Sequence, residues 1–237
     1  LGRNVLDHTY GTVAFGLMPG HMDKNPIGNR PNNFYIPRFR NLEDNEDLDF
    51  VRGYGYQGAA MRIDWRGLHG QVKGFGKTFK HALRSPGPWV AFLGGFGEAL
   101  PNDDNRMFLS ANQVDRYGIP QVEFDAAFGN NEQRMREDIA GQGEAILPQA
   151  GAVNVISQIK QSVPGEAIHE MGTARMGHES ATSVLNSRNQ LHGVPNVFVT
   201  DGSFMTSASC VNPSLTYMAM TARAADYAVE QLRNGQI

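Results

Sequence analysis

Three short stretches in the last third of the chain carry residue types suited to proton and anion chemistry. The first is His169-Glu170-Met171-Gly172-Thr173-Ala174-Arg175-Met176-Gly177, a histidine before a Gly-Thr turn between two methionines. An imidazole has an ordinary pKa near ~6.5 and suits proton transfer around neutrality. The second is Val197-Phe198-Val199-Thr200-Asp201-Gly202-Ser203, a short apolar β run that stops at Asp-Gly. The third is Asn212-Pro213-Ser214-Leu215-Thr216. Asn is a favoured N-cap and Pro a favoured first helical residue, so a helix is expected to open here. A strand end facing a helix start turns backbone N–H groups outward, an arrangement that holds anionic groups. Taken alone, the last two stretches describe any strand–loop–helix unit with a solvated Asp. A histidine that meets an asparagine beside such a turn makes a proton-transfer site.

Together these stretches resemble the C-terminal half of a glucose–methanol–choline (GMC) flavin oxidoreductase. That family carries a His before a Gly-Thr turn, a strand ending in Asp-Gly, then His or Asn followed by Pro-(Ser/Thr)-Leu-Thr. At the N-terminus, Leu1-Gly2-Arg3-Asn4-Val5-Leu6-Asp7-His8 is similar to the family's Val-Gly-Arg-Asn-Leu-x-Asp-His. The resemblance implies FAD as cofactor and oxidation of an alcohol C–H to a carbonyl by hydride transfer. It makes His169 the base. Asn212 has no titratable proton in this range and orients the substrate oxygen by hydrogen bonding. The helix opening at Pro213 and Ser214 points its positive end at the flavin, and Asp201 and Gly202 approach the cofactor chain. Asn at 212, in a Cys-x-Asn-Pro-Ser-Leu-Thr context, looks most like bacterial sugar and glycoside dehydrogenases, so a sugar hydroxyl is the expected substrate.

The Gly-x-Gly-x-x-Gly turn that receives the FAD diphosphate in that family has no counterpart in this sequence. Gly53-Tyr54-Gly55 and Gly74-Phe75-Gly76 do not follow an apolar strand and open a helix, which the fingerprint requires. The resemblance therefore implies a fragment that begins inside a larger protein, with the N-terminal flavin-binding half as its missing partner. A non-catalytic binding or interaction fragment is the alternative reading.

Composition bounds these readings. The 237 residues are 41% hydrophobic and 19% charged, which describes an ordinary globule able to bury a core. A net charge of −3 argues against a nucleic-acid surface. The single cysteine, Cys210, excludes an intrachain disulfide and a cysteine-based metal cluster, and is expected to pack rather than react. One thiol is compatible with either cytoplasm or periplasm. No apolar run approaches the ~18 residues of a membrane span. Glu43, Asp44, Glu46, Asp47 and Asp49 read as a solvated loop rather than a metal site.

The elements that must position the site follow from the pattern. Tyr10–Leu17, Phe34–Arg40, Tyr54–Asp64, Trp89–Glu98, Met107–Leu109 and Gln121–Asp125 read as strands, the second with Pro37 marking an edge. Glycine and proline shape Pro19–Asn33 into a loop, and the basic stretch His69–Pro88 into a surface helix or lid. Strands following strands indicate an antiparallel sheet. Asn130 is expected to cap a helix with Gln133 completing the box, and Met135, Ile139, Gly143 and Ile146 on its buried face. Glu98 is a candidate for the substrate side, and Val153–Val163 is unassigned. Leu215, Met218, Ala219, Ala222, Ala225, Val229 and Leu232 mark the packed face of a last helix, Pro213 to about Arg233. The expected fold is α+β to α/β. Residues 1–9 end a flavin-domain segment, 10–155 form an antiparallel substrate-side sheet with helices, and 156–237 form the C-terminal part of an FAD-binding α/β domain.

Overall fold

Period-two alternation decides which side of a sheet each residue faces, and here it separates a core from a cavity. The computed structural model describes residues 1–24, 33–43, 47–63, 72–84 and 87–237. In chain order the strands are β1 (Arg3–Leu6), β2 (His8–Thr9), β3 (Thr12–Met18), β4 (Asn33–Ile36) and β5 (Tyr54–Arg62). Helix α1 (Gly76–Arg84) precedes β6 (Trp89–Glu98), β7 (Arg106–Val114) and β8 (Pro120–Asp125). Helix α2 (Asn130–Gln149), β9 (Val153–Ile159), β10 (Met171–Thr173) and helix α3 (Ser214–Arg233) complete the order.

The larger sheet runs β4-β5-β6-β3-β9, with β2 also paired to β6. The smaller runs β10-β1-β7-β8. Both are antiparallel, as expected for 10–155, but the strands of that stretch divide between the two sheets. On one face of the larger sheet, Ala14, Tyr54, Tyr56, Ala91 and Leu93 pack with Met135, Ile139 and Leu147 of α2. Glycines let the helix approach: a Cβ at Gly143 would lie 2.6 Å from the Ala14 Cβ, and one at Gly95 would meet Ile139. The other face sends Val13, Gln57, Phe92 and Phe96 into an open cavity.

Several boundaries differ from expectation. The cap of α2 is Gly129, and Glu132 rather than Gln133 reaches back to the Gly129 N–H at 2.8 Å. The unassigned stretch supplies β9. Val197–Thr200 forms no strand. Its single bridge pairs Phe198 with Gln190, because an extended segment becomes a strand only where a neighbour offers a continuous ladder. The largest correction concerns α3. Its expected packed stripe faces outward, with Leu215 78%, Met218 68% and Leu232 64% exposed, while Ala224 is buried and Tyr217 half-buried on the opposite side. Asp64, His69, Pro86, residues 25–32 of the expected loop and Asp44 and Glu46 of the acidic run lie outside the described residues. Among the described residues, no helix is long and apolar enough to cross a membrane.

Candidate active site

Three chain segments converge on the site, held by a small second core. Leu6 at the end of β1, Met171 at the start of β10 and Ala208 from the loop before α3 pack together, with Tyr217 of α3 against them. Each is two to four residues from a polar group of interest, so this cluster places His8, His169 and Asn212 side by side.

His169 stands at the centre. Its Nε2 lies 3.1 Å from Asn212 Nδ2, and its Nδ1 lies 2.9 Å from His8 Nδ1. The two imidazoles meet edge to face, with centroids 4.9 Å apart at 90°. His8 is buried, and its Nε2 lies 2.9 Å from the Ala208 carbonyl oxygen. Desolvation, then the neighbouring His169, pushes the His8 pKa below its ordinary 6.5, against smaller opposing effects of the Ala208 carbonyl and Asp7. Beyond Asn212, Gln57 Nε2 donates to Asn212 Oδ1 at 2.5 Å.

The backbone around His169 is held in an unusual shape. Ile168 sits at φ 56°, a region β-branched residues rarely enter. Gly172 has φ 89°, and a Cβ there would run into the Asn4 carbonyl oxygen of β1. Glycine is required at that point for β10 to close on β1.

Asn212 lines a cavity of about 660 Å³. The walls are aromatic, with Tyr10, Phe34, Tyr35, Phe92 and Phe96, and the polar groups are the amides of Asn33, Gln57 and Asn212. An apolar cleft with few convergent polar groups is the usual form of a small-molecule site. Glu98 does not line it. Its carboxylate accepts from Ser207 Oγ and faces Arg52 at 3.7 Å.

The remaining sequence-derived positions fall nearby. Pro213 occupies the cap position of α3 and no side chain caps the helix, so Asn212 is free of the capping role expected of it. The Asn212 side chain is instead committed to Gln57 and His169, and no side chain caps the first-turn N–H groups around Ser214. Asp201 caps its own short 3₁₀ turn, accepting from Ser203 N at 2.8 Å and Ser203 Oγ at 2.5 Å. Gly202 packs closely: a Cβ there would lie 2.5 Å from the Glu170 carbonyl oxygen and 2.6 Å from the Tyr217 hydroxyl. Cys210 is buried beside Tyr35, as expected of a packing residue. Sequence reasoning missed His8, Asp7 and Gln57. The first two stood in the N-terminal motif without an assigned role, and Gln57 lies mid-strand with no local signal.

Comparison with known proteins adds an independent line. A family model described as GMC oxidoreductase matches residues 101–221. The chain is 33% identical to the 2-methyl-1,2-propanediol dehydrogenase of Mycolicibacterium austroafricanum, over 96% of this chain and 41% of that protein. It is 35% identical to the paromamine 6'-oxidase of Streptomyces fradiae, over 53% of this chain and 23% of that protein. It is 26% identical to the fructose dehydrogenase large subunit of Gluconobacter japonicus, over 99% of this chain and 42% of that protein. The chain thus spans about two-fifths of the length of the two relatives it matches nearly end to end.

Proposed function

The chain belongs to the GMC oxidoreductase family, and from that premise we propose that it forms the substrate side and the C-terminal part of the flavin side of an FAD-dependent enzyme oxidising an alcohol to a carbonyl. The observation that carries this reading is the 3.1 Å meeting of His169 Nε2 with Asn212, which itself lines an aromatic-walled cavity. Two residues 43 positions apart are brought together beside the core of Leu6, Ala99, Met171 and Ala208.

In the proposed reaction the substrate hydroxyl enters the cavity and exchanges into the His169–Asn212 contact. Asn212 Nδ2 donates to the hydroxyl oxygen and fixes its position. His169 Nε2 takes the hydroxyl proton as the carbinol C–H bond breaks and the C=O bond forms. When bound, FAD supplies the acceptor for the departing hydride. Ser214 and its neighbours at the uncapped start of α3 fit an anionic flavin edge, since their N–H groups have no side-chain partner from the cap. Asp201 and Gly202 would stand along the cofactor chain. Residues 1–9 and 156–237 then belong to the flavin side, and 10–155 to the substrate side.

For substrate, a sugar or glycoside hydroxyl is favoured. Aromatic walls accept the C–H face of a sugar ring, and the amides of Asn33, Gln57 and Asn212 answer its hydroxyls. One relative's name refers to fructose. A second reading, a small branched aliphatic diol, is favoured by the relative that is 33% identical over nearly the whole chain. The cavity, at about 660 Å³, lies within the roughly 300–1,000 Å³ that holds drug-sized ligands, which suits the larger substrate.

The test is a substrate panel on a flavin-loaded protein that joins this chain to a flavin-binding half, with an artificial electron acceptor, run beside His169→Ala. Sugars should turn over and the variant should lose about 10²–10⁴-fold in rate. Turnover of diols with none on sugars overturns the substrate assignment. An unchanged reductive rate in His169→Ala removes the base.

A further inference from the structure

We propose that His8 is a positioning residue that holds His169 in the tautomer with a bare Nε2, the form that the reading of His169 as base requires. The Ala208 carbonyl oxygen can only accept, so His8 Nε2, 2.9 Å away, carries a hydrogen. His8 is almost wholly buried, and its surroundings disfavour a second ring proton, so its Nδ1 is a lone pair. That lone pair faces His169 Nδ1 at 2.9 Å, a distance that needs one hydrogen between the two nitrogens. The hydrogen is therefore on His169 Nδ1. A neutral His169 then has its lone pair on Nε2, directed at Asn212.

The far end of the chain agrees. Asn212 Oδ1 accepts from Gln57, which turns Asn212 Nδ2 toward His169 Nε2 as donor. Both amides could be reversed together without changing the distances, whereas the Ala208 carbonyl cannot be. The direction of the whole relay is thus set from His8. Once His169 takes a second proton, its Nδ1–H still donates to His8, now from a cation, and that bond strengthens. Should His8 itself gain a proton, it would donate to His169 Nδ1 and force the His169 proton onto Nε2, the wrong atom. The charged neighbours bearing on His8 are Asp7, which favours that proton, and His169, which opposes it along with burial.

The first measurement is made without substrate. In the full chain labelled with ¹⁵N in its imidazoles, long-range ¹H–¹⁵N correlations distinguish an N–H ring nitrogen from a bare one. His169 should show Nδ1–H with bare Nε2, and His8 Nε2–H with bare Nδ1. A proton on His169 Nε2 in the parent chain overturns the proposal, whatever any variant does. The second measurement compares His8→Leu, which has no acceptor, with His8→Asn, whose Oδ1 can stand in for Nδ1. In a flavin-loaded protein that joins this chain to a flavin-binding half, His8→Leu should lower kcat by about 10–100-fold with KM little changed, by analogy with the loss of partners that orient metal-ligating histidines. His8→Asn should recover most of that loss. Parental kcat in His8→Leu, or a His169 tautomer unaltered by it, overturns the proposal. The ring-nitrogen assignment is read without turnover, so it is decided separately from whether His169→Ala abolishes oxidation.

Discussion

Asp7 holds His169 in place through its backbone rather than its ring. The fully buried Asp7 carboxylate accepts from the N–H of His8 at 2.8 Å and His169 at 3.3 Å through one oxygen. Its other oxygen accepts from Gly165 at 2.8 Å and Ala167 at 3.0 Å. Those bonds hold the left-handed Ile168, a conformation that costs on the order of 1–3 kcal/mol and persists only where neighbours enforce it. Asp7→Asn turns one acceptor into a donor aimed at N–H groups. With charged hydrogen bonds contributing about 1.5–3 kcal/mol each, a loss of at least about 2 kcal/mol in unfolding free energy is expected from denaturant titration. A loss under about 0.5 kcal/mol would mean the loop is held by packing instead. His8 adds a pH dependence of known sign. Its folded pKa lies below 6.5, so on acidification the unfolded chain binds that proton first. The stability it contributes is complete above about 6.5 and is lost as pH falls from there toward the folded pKa. Comparing the chain with His8→Asn between pH 7 and 5 should show a steeper decline in the parent, and equal slopes would refute the assignment.

At the scale of elements, the sequence was most legible where a residue's neighbours are local. The run Trp89–Glu98 is a strand over the residues that its apolar pattern marks. The face Met135, Ile139, Gly143 and Ile146 of α2 does turn toward the sheet. What was hidden is why α2 tolerates two glycines. Gly143 sits where a Cβ would press on Ala14, whereas Gly141 faces open space. The same substitution should therefore have opposite signs two residues apart. Gly141→Ala gains helix propensity and should stabilise by up to about 1 kcal/mol. Gly143→Ala gains the same propensity but overpacks the core, at about 1–3 kcal/mol, so a net loss is expected. Thermal unfolding of both variants checks the pair, and stabilisation by both would show that α2 is not pressed on β3. The site itself was legible in part. His169 and Asn212 could be paired only through the resemblance, since nothing local links residues 43 apart. Gln57 could not be found at all, because a strand position facing a cavity differs from one facing solvent only in its tertiary neighbours.

Helix α3 shows what periodicity can and cannot say about the whole molecule. The stripe Leu215, Met218, Ala219, Ala222, Ala225, Val229 and Leu232 is real, yet among the described residues nothing covers it, and the helix meets its own chain through Tyr217 and Ala224. A hydrophobic period states that a face needs a neighbour, not which neighbour supplies it. The cofactor raises the same question. The start of α3 at Ser214 has no side-chain cap, while the diphosphate of a dinucleotide is commonly held by a glycine-rich turn at a helix N-terminus. The one Gly-x-Gly-x-x-Gly pattern in the sequence, Gly53 to Gly58, runs into strand β5 rather than lying between a strand and a helix. The chain by itself should therefore hold FAD weakly, with a dissociation constant well above micromolar, and the purified 237-residue protein should be colourless. Titration of FAD followed by flavin fluorescence gives the answer. Submicromolar affinity would mean that the donors around Ser214 and the Asp201–Gly202 turn suffice for the cofactor, and that the diphosphate is held by a structure other than the glycine-rich turn.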